Sequence, residues 1–276
     1  MKRYRVLFFD FDSRPEYLKR EILNEWDDKI KKQHRENKEK IEKRFIEQYG
    51  QNDSEVKIKN IKDLGNKPIS ILAFHNKFFN QIRSAFIMGA YYPALTAACA
   101  LGERILNHLI CTLREEFLST PEYKKIYNKN SFDNWDLAID TLKSWGVLLP
   151  EVAKIFRDLS ELRHRSIHFN PDIDKNDRPL ALQAINHLKD IIQKQFGAFG
   201  KQPWFIPGIK GASYIKKDAE KKPFIKHIYL PNCYLVGPKH TLEGELNILI
   251  VKDDHQYEDL EITDEQFRDL INRDNR

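Results

Sequence analysis

The apolar residues of the stretch 69–196 recur at the spacing of an α-helix, and this pattern limits the fold more than any other feature. Its first repeat consists of Ile71, Leu72, His75, Phe78, Phe79, Ile82 and Phe86. Such a period gathers apolar side chains on one helix face, which must then be buried against other helices. Glycine and proline interrupt the stretch, so it predicts several helices that fold back on one another. We therefore predict a mainly α fold, with residues 69–196 forming an antiparallel helical bundle.

Glycine and proline residues mark the ends of the predicted bundle helices. The first ends at Gly89, the second opens at Pro93, the third covers about 134–145, the fourth opens at Pro150 and stops at Pro171, and the fifth covers 179–196. Small residues at 94–100 allow the second helix to pack closely against its neighbours. Glu103 is the exception on that helix, because it is an acid among apolar neighbours.

Residues 1–68 are predicted to form an N-terminal segment with a strand and a long charged helix. The run YRVLFFDF at 4–11 is apolar and aromatic, which favours a strand. Pro15 suits the first turn of a helix that would continue to about residue 49. Its apolar residues are sparse, so we expect a largely solvated arm, followed at 50–68 by a connector with a short element.

Residues 197–276 are predicted to form a basic connector, 197–223, and a small β-rich subdomain. The predicted strands are FIKHIYL, CYLV, ELNILIV and YEDLEI, which are separated by turn residues. A final helix is expected from Thr263, where Gln266 three residues later completes a capping box. The N-terminal strand is a candidate to join this sheet.

Composition limits the cellular setting more than the function. The formal net charge of +5 permits contact with a polyanion without requiring it. Cys99, Cys111 and Cys233 form no CxxC motif, which fits free and mostly buried thiols in a reducing cytoplasm.

No run approaches the roughly 20 apolar residues of a membrane span. The basic start, MKRYRVLFFDFD, is too soon interrupted by acids for a signal peptide. We therefore expect a cytoplasmic protein that does not enter a membrane.

The segment RHRSIHFN at 163–170 places two arginines and two histidines within six residues. Stepping about 100° per residue along the fourth helix places Arg163 inside its apolar stripe. His164 and His168 fall beside the stripe, one turn apart. Arg163 and His168 are about 140° apart on an ideal helix, so they share no face unless a second surface completes the site.

Arg163 needs a partner, because a guanidinium on a core stripe is costly unless it is paired. Glu103 on the second bundle helix is the best candidate for a buried carboxylate partner. A purely structural ion pair would produce the same pattern. The predicted pair therefore leaves open whether Arg163 takes part in chemistry.

His164 and His168 also have the i, i+4 spacing of two metal ligands on one helix. A third ligand is missing from the pattern, and Arg163 and Arg165 lie close enough to oppose a cation. We therefore expect no metal and no cofactor. Exposure to solvent is the simpler interpretation for His164.

Two predicted helices of the bundle carry the segments AYYPALTAACALGERILNHLI and LRHRSIHF. With these segments, residues 69–196 resemble the HEPN superfamily (higher eukaryotes and prokaryotes nucleotide-binding domain). That resemblance implies a small all-α bundle that is commonly a homodimer and in many members a metal-independent endoribonuclease. The family signature is an arginine, a polar residue and, after four to six intervening positions, a histidine. Arg163, His164 and His168 fit it with four intervening residues. The N-terminal and C-terminal segments lie outside the resemblance.

The resemblance also implies a role for each residue in cutting RNA by attack of the 2′-hydroxyl on the neighbouring phosphate. His168 would move protons as general base or acid, because its side chain titrates near neutral pH. Arg163 would stabilise the charge on the phosphate, held in place by Glu103. His164 would be an accessory polar group, and Asn170 would orient or bind RNA. In HEPN dimers the motifs of two protomers face one another across a cleft, which would unite Arg163 and His168.

A basic run follows the bundle and offers a place for RNA to dock. Lys216, Lys217, Lys221 and Lys222 lie between Lys210 and Lys226, with Trp204, Phe205 and Tyr214 interleaved. Lysines can bind phosphates while aromatic rings stack on bases. A solvated, flexible loop would show the same composition, so both interpretations stay open.

Two other functions compete with the ribonuclease. FFDFD at 8–12 and ILIVKDD at 248–254 resemble the acidic loops of haloacid-dehalogenase-type phosphatases, but such folds need alternating strands and helices that this chain lacks. The stronger competitor is a catalytically inactive HEPN module that binds nucleotides, RNA or a partner protein. Many HEPN nucleases are toxins in antiphage or toxin–antitoxin systems, so the resemblance implies a defence role with an antitoxin or defence-system partner.

Overall fold

The computed structural model describes residues 1–7, 12–167, 173–199, 201–244, 249–258 and 260–274. As predicted, the chain is mainly helical, with a small strand region towards the C-terminus. The helices are α1 (Arg14–Lys19), α2 (Asp28–Tyr49), α3 (Ser54–Leu64), α4 (Ala73–Ile87), α5 (Tyr91–Leu113), α6 (Tyr123–Ile126), α7 (Trp135–Ser144), α8 (Pro150–Ile167), α9 (Ile173–Phe196) and α10 (Asp264–Asp274). The strands are β1 (Arg3–Val6), β2 (Ser213–Tyr214), β3 (Cys233–Val236), β4 (Thr241–Glu243) and β5 (Ile250–Lys252).

Helix α5 is the centre of the bundle and packs against α4, α7, α8 and α9. Its buried face carries small residues, among them Ala94, Ala98 and Gly102. A Cβ atom at Gly102 would lie 2.8 Å from both Leu159 Cδ2 on α8 and the ring of Trp135 on α7. The absence of a side chain at Gly102 therefore lets three helices meet one residue away from Glu103.

Helix α9 begins at Ile173, so the prediction of a start at Pro179 was wrong. Arg178 accounts for the additional N-terminal turns of α9. Its guanidinium donates to Asn60 Oδ1 and to Asp63 Oδ2 on α3. These contacts hold the first part of α9 against α3. Pro179 lies inside the helix and lacks one backbone donor, which normally weakens a helix at that point. Pro171, the predicted stop of α8, lies outside the described residues.

The single long helix predicted over 15–49 is two helices, α1 and α2, separated by residues 20–27. Leu18 on α1 and Phe45 on α2 are both buried in the same core. In one straight helix these residues would stand roughly 40 Å apart, too far to share it. Pro15 is in the first turn, as predicted. Phe45 is the one buried residue of α2, so the expectation of a largely solvated helix is confirmed.

Strand β1 is the middle strand of a three-stranded antiparallel sheet, with β2 and β3 on its two sides. Arg5 lies opposite Tyr214 on one side and Tyr234 on the other. The prediction that the N-terminal strand joins the C-terminal sheet is therefore confirmed. β4 and β5 form a separate antiparallel pair.

The segment FIKHIYL, predicted as a strand, is helical instead. Residues Ile225–Tyr229 form a turn of π-helix that leads into a 3-10 turn. The buried residues are Phe224, Ile225, Ile228 and Tyr229, a helical spacing. The Tyr229 hydroxyl donates to the Gln195 and Gly197 carbonyls at the end of α9, which anchors this turn.

The remaining C-terminal predictions had mixed outcomes. CYLV is strand β3, as predicted, but the described residues of YEDLEI form no strand. ELNILIV reaches β5 only at its end, and its residues 245–248 lie outside the described chain. The capping box is confirmed, because Thr263 N donates to Gln266 Oε1 and Gln266 N donates to Thr263 Oγ1.

One main hydrophobic core runs through the molecule and includes residues from all three predicted segments, such as Val6, Phe45, Phe156 and Tyr229. A second, smaller core beneath the sheet consists of Ile206, Tyr214, Val236, Phe267 and Ile271. Across the described residues, every helix is too short or too polar to cross a membrane.

Candidate functional site

Arg163 on α8 and Glu103 on α5 form an ion pair, as the sequence predicted. The Arg163 Nη2 atom lies 3.0 Å from Glu103 Oε2. The indole N–H of Trp135, the first residue of α7, donates to the same oxygen at 3.1 Å. One carboxylate oxygen thus joins three helices of the bundle and fixes the position of the guanidinium.

The pair is not buried, which corrects the expectation of a fully buried tie. The side chains of Arg163 and Glu103 are 21% and 31% exposed. Arg163 lies over the Trp135 ring, with 5.8 Å between the guanidinium carbon and the ring centroid, a cation–π contact. The arginine stem therefore packs on the core while its charged end reaches the surface.

The exposed edge of this ion pair forms the wall of a cleft of about 640 Å³. The cleft is lined by Thr96, Ala100, Glu103, Arg104, Asn107, His108, Cys111, Asn130, Ser131 and Arg163. A volume of this size falls in the usual range of small-ligand sites. Most of its polar lining comes from one face of α5, with α8 contributing Arg163.

Asn107, one turn after Glu103 on α5, fixes another part of the cleft wall. Its amide nitrogen donates to the Phe132 carbonyl at 3.0 Å, and its Oδ1 accepts from the Phe132 backbone N–H. Arg114 at the end of α5 donates to the Lys129 carbonyl. These bonds hold the loop before α7 against α5, so the cleft has a defined shape.

Arg104 and His108 lie in the same cleft, although the sequence did not single them out as site residues. They are one turn apart on α5, and this i, i+4 spacing on an otherwise apolar helix was the available signal. Arg104 lies over the ring of Phe78, and the His108 ring contacts Phe74. Burial lowers the pKa of His108, and the charge of Arg104 lowers it further. The imidazole is therefore neutral at pH 7 and able to accept a proton.

The other predicted members of the motif are less directly placed. His164 is exposed and does not line the cleft. His168 and Asn170 lie outside the described residues. The proposed meeting of Arg163 and His168 across two chains therefore stays a prediction. In the part of the chain that the structure describes, no three or more His, Cys, Asp or Glu side chains are grouped as a metal site.

The three cysteines are free, but the expectation of mostly buried thiols was wrong. Cys99 is buried behind Arg163, whereas Cys111 is exposed in the cleft and Cys233 is partly exposed. Burial raises the pKa of Cys99 to about 11, although Ser166 and the charge of Arg163 act in the opposite direction.

The basic run after the bundle presents lysines but no stacking rings. Trp204, Phe205 and Tyr214 are buried, so these three rings are not available to stack on bases. Their rings pack into the cores with Phe224, Tyr229 and Phe267.

The lysines of this run differ in how they are engaged. Lys216 donates to the Pro203 carbonyl, and Lys217 pairs with Glu220 at 2.8 Å. Lys221 and Lys222 are exposed, as is Lys210. The exposed positions are those that remain open to a phosphate.

Two acidic residues of the phosphatase-like segments, Asp12 and Asp253, are engaged in ion pairs. Asp12 accepts from Arg14 at 2.8 Å. Burial alone would raise the pKa of Asp12, but the hydrogen bonds and charge of Arg14 outweigh it and lower that pKa. Asp253 pairs with Lys2 and accepts from the Tyr257 hydroxyl. Residues 8–11 of FFDFD lie outside the described chain.

Comparison of the chain with protein-family models, with curated proteins and with solved structures finds no match.

Proposed function

We propose that the chain is a metal-independent endoribonuclease of the HEPN type, acting as a homodimer. The observation that carries this proposal is the position of Arg163, which Glu103 and Trp135 hold at the wall of a polar cleft. RNA would be cut by attack of its 2′-hydroxyl on the adjacent phosphate. This chemistry needs an oriented cation for the phosphate and a group that moves protons near neutral pH.

Arg163 is suited to the charge-stabilising role because its position is fixed before substrate binds. Its Nη2 atom faces Glu103 while its side chain remains 21% exposed at the cleft. A guanidinium has five N–H donors, so pairing with one carboxylate leaves donors for a phosphate oxygen. Arg104 in the same cleft supplies a second cation for the same anion.

Proton transfer is assigned to His168, with His164 as an accessory polar group and Asn170 as an RNA-orienting residue. His108 is the alternative proton carrier, because it lines the cleft and its lowered pKa keeps the ring neutral at pH 7. A neutral imidazole can act as general base, which is the first requirement of the reaction. The two assignments differ in which histidine substitution abolishes cleavage.

We place the second copy of the proposed homodimer on an apolar groove of about 340 Å³ between α4 and α5. It shares Ala100 and Arg104 with the cleft, and Phe78, Ile82 and Leu101 are among its other lining residues. A second copy seated on this groove would bring its own chain next to Arg163. We assign the exposed Lys221 and Lys222 to contacts with the RNA backbone outside the cleft, whereas Lys216 and Lys217 would have to leave Pro203 and Glu220 to contribute.

The alternative is a catalytically inactive HEPN module that binds RNA, a nucleotide or a protein partner. The joining of three helices at one Glu103 oxygen favours it, because this contact gives Arg163 a structural role by itself. The exposed face of the ion pair favours the enzyme. A toxin or antiphage role, with an antitoxin or other defence partner, is a further extension of the ribonuclease proposal.

The deciding experiment incubates the purified full chain with labelled RNA in EDTA. The variants are Arg163→Ala, His168→Ala and His108→Ala. Arg157→Ala is the matched control, because Arg157 lies on the same helix and pairs with Asp140 away from the cleft. We expect cyclic phosphate ends and a loss of about 10²-fold or more in rate for Arg163→Ala and for one histidine variant.

Each outcome has a distinct meaning. Cleavage that survives in Arg163→Ala and in both histidine variants would contradict the site. Saturable RNA binding without cleavage by the unaltered chain would favour the inactive module. Toxicity on expression that His168→Ala relieves would support the defence role, whereas equal toxicity of both chains would argue against it.

A further inference from the structure

A second pocket lies in the C-terminal subdomain, away from the cleft, and its lining is cationic. It has a volume of about 500 Å³ and is lined by Arg5, Lys210, Gly211, Ala212, Tyr214, Pro238, Lys239, His240, Thr241 and Ile271. Arg5 comes from β1, while the lysines come from two separate turns. Three side chains that are positive at pH 7 thus converge on one pocket whose described lining contains no carboxylate.

Two carboxylates of the C-terminal segment, Asp253 and Asp264, are engaged in other ion pairs. Asp253 pairs with Lys2 at 2.8 Å and accepts from the Gly237 backbone N–H. Asp264 pairs with Arg3 at 2.8 Å. Within the described ranges, no carboxylate lies within ion-pair distance of Arg5, Lys210 or Lys239. The three cations of the pocket therefore have no direct carboxylate partner among the described residues, and the charge of Asp253 acts on His240 only from a distance.

Arg5 is held against two neighbouring rings but retains one donor without a partner. Its guanidinium lies over the Tyr214 ring and contacts His240 Nε2. His240 Nδ1 lies 2.7 Å from the Gly237 carbonyl, which can only accept a hydrogen bond, so Nδ1 carries the proton and Nε2 is an acceptor. The Arg5 Nε atom is nevertheless buried without a hydrogen-bond partner. A buried donor left unpaired is unfavourable, and it commonly marks a missing ligand or water.

Backbone geometry brings one of the lysines to this pocket. Gly211 follows Lys210 and has a φ of +73°, which a residue with a Cβ rarely adopts. No atom lies within 4 Å of the position that a Cβ would occupy at Gly211, so its backbone conformation and not crowding explains the glycine. The turn that directs Lys210 to the pocket is therefore specified by the sequence.

We propose that this pocket binds a small phosphorylated ligand, with Arg5, Lys210 and Lys239 as its cationic contacts. Phosphate is favoured because a guanidinium can contact two of its oxygens and the lysines can approach as point charges. The pocket exceeds what a single phosphate needs and falls in the range of sites for nucleotide-sized molecules. This proposal is independent of the ribonuclease, because none of these residues lines the cleft.

The test titrates the full chain with pyrophosphate and separately with adenosine diphosphate, at constant ionic strength in chloride. The main variant is the double substitution Lys210→Gln with Lys239→Gln, which alters exposed side chains and leaves the sheet intact. The matched control is Lys154→Gln with Lys201→Gln, which removes the same charge at exposed positions outside the pocket. Arg5→Gln is a further variant whose folding must be checked, because Arg5 lies in the middle strand.

We expect saturable binding that the pocket double variant weakens about tenfold or more, roughly 1.4 kcal/mol, while the control double variant changes it less than about twofold. Tighter binding of adenosine diphosphate than of pyrophosphate would identify a nucleotide, and equal binding would identify the phosphate groups alone. The proposal is overturned if neither probe saturates the protein near 1 mM, or if both double variants weaken binding equally.

Discussion

Glu103 Oε2 lies 3.0 Å from Arg163 Nη2 and accepts the indole N–H of Trp135 at 3.1 Å. This single oxygen links α5, α8 and α7, so it both fixes the bundle and orients the proposed phosphate-binding arginine. The two roles predict different contributions of the ion pair to the free energy of unfolding. A partly exposed pair contributes little to stability, whereas removal of one partner from a buried pair is strongly destabilising.

The strength of the pair is measurable in a double-mutant cycle with Glu103→Gln and Arg163→Gln. The two side chains are 31% and 21% exposed, so solvent screens their attraction. We expect a coupling free energy of about 1 kcal/mol or less from urea unfolding of the four chains. A coupling near 3 kcal/mol or more would instead indicate a structural tie and favour the inactive module.

Gly102→Ala should disturb the site through packing alone. The new Cβ would lie 2.8 Å from Leu159 Cδ2 and from the Trp135 ring, so α7 or α8 must shift. We expect a loss of about 1–3 kcal/mol in the free energy of unfolding and a changed Trp135 environment in near-ultraviolet circular dichroism.

Ala100→Ser is the matched control for that substitution, because it adds one heavy atom at an exposed position of the same helix. It should leave the free energy of unfolding within about 0.5 kcal/mol of the original value. Equal stability of Gly102→Ala and the unaltered chain would show that the close approach at Gly102 is not needed.

The parts of the fold that the sequence predicted depend on short-range rules. Helical period and glycine or proline punctuation located the bundle helices, and the spacing of Thr263 and Gln266 located the cap of α10. The Arg163–Glu103 pair was predictable because charged residues on apolar helix faces require partners. The helix inferences use residues that lie within a few turns of one another in the sequence. The inference of the ion pair uses one strong electrostatic requirement, the need of Arg163 for a charged partner.

The parts that were wrong depend on contacts between distant segments. The short apolar run 224–230 is compatible with either a strand or a helix. The hydrogen bonds from the Tyr229 hydroxyl to the Gln195 and Gly197 carbonyls favour the helical turn. The break at 20–27 follows from the burial of Leu18 and Phe45 in one core. The spacing of Arg104 and His108 places them on one face of α5, but only the packing of α8 shows that this face lines a cleft with Arg163.

His75 should make the protein less stable in acid. It is fully buried beside Phe196, and Nδ1 contacts the Ser70 hydroxyl. Burial lowers the pKa of His75 from 6.5 to about 3, with a smaller effect of His108. Between these pH values the unfolded chain binds a proton at this site that the folded chain does not. The contribution of neutral His75 to the free energy of unfolding should therefore be fully present above about pH 6.5. It should fall as the pH decreases towards 3, by up to about 1.4 kcal/mol per pH unit.

The measurement compares urea unfolding of the original chain and His75→Gln at pH 7.0, 6.0 and 5.0. The glutamine variant should be less stable at pH 7 but should lose less stability on acidification, because its side chain binds no proton. Ser70→Ala serves as control, since it removes the hydroxyl contact and leaves the histidine buried. Identical pH slopes for the original chain and His75→Gln would contradict the assignment.

Cys111 should report on occupancy of the cleft. It is exposed and lines the cleft, whereas burial raises the pKa of Cys99 to about 11 and that of Cys233 to about 12. Because the thiolate is the reactive form, iodoacetamide at pH 8 should modify Cys111 first. Mass spectrometry should show one fast modification that Cys111→Ser abolishes. If the cleft holds RNA, an oligonucleotide bound to a cleavage-deficient variant should slow this modification several-fold. Unchanged labelling under saturating RNA would place the RNA elsewhere on the protein.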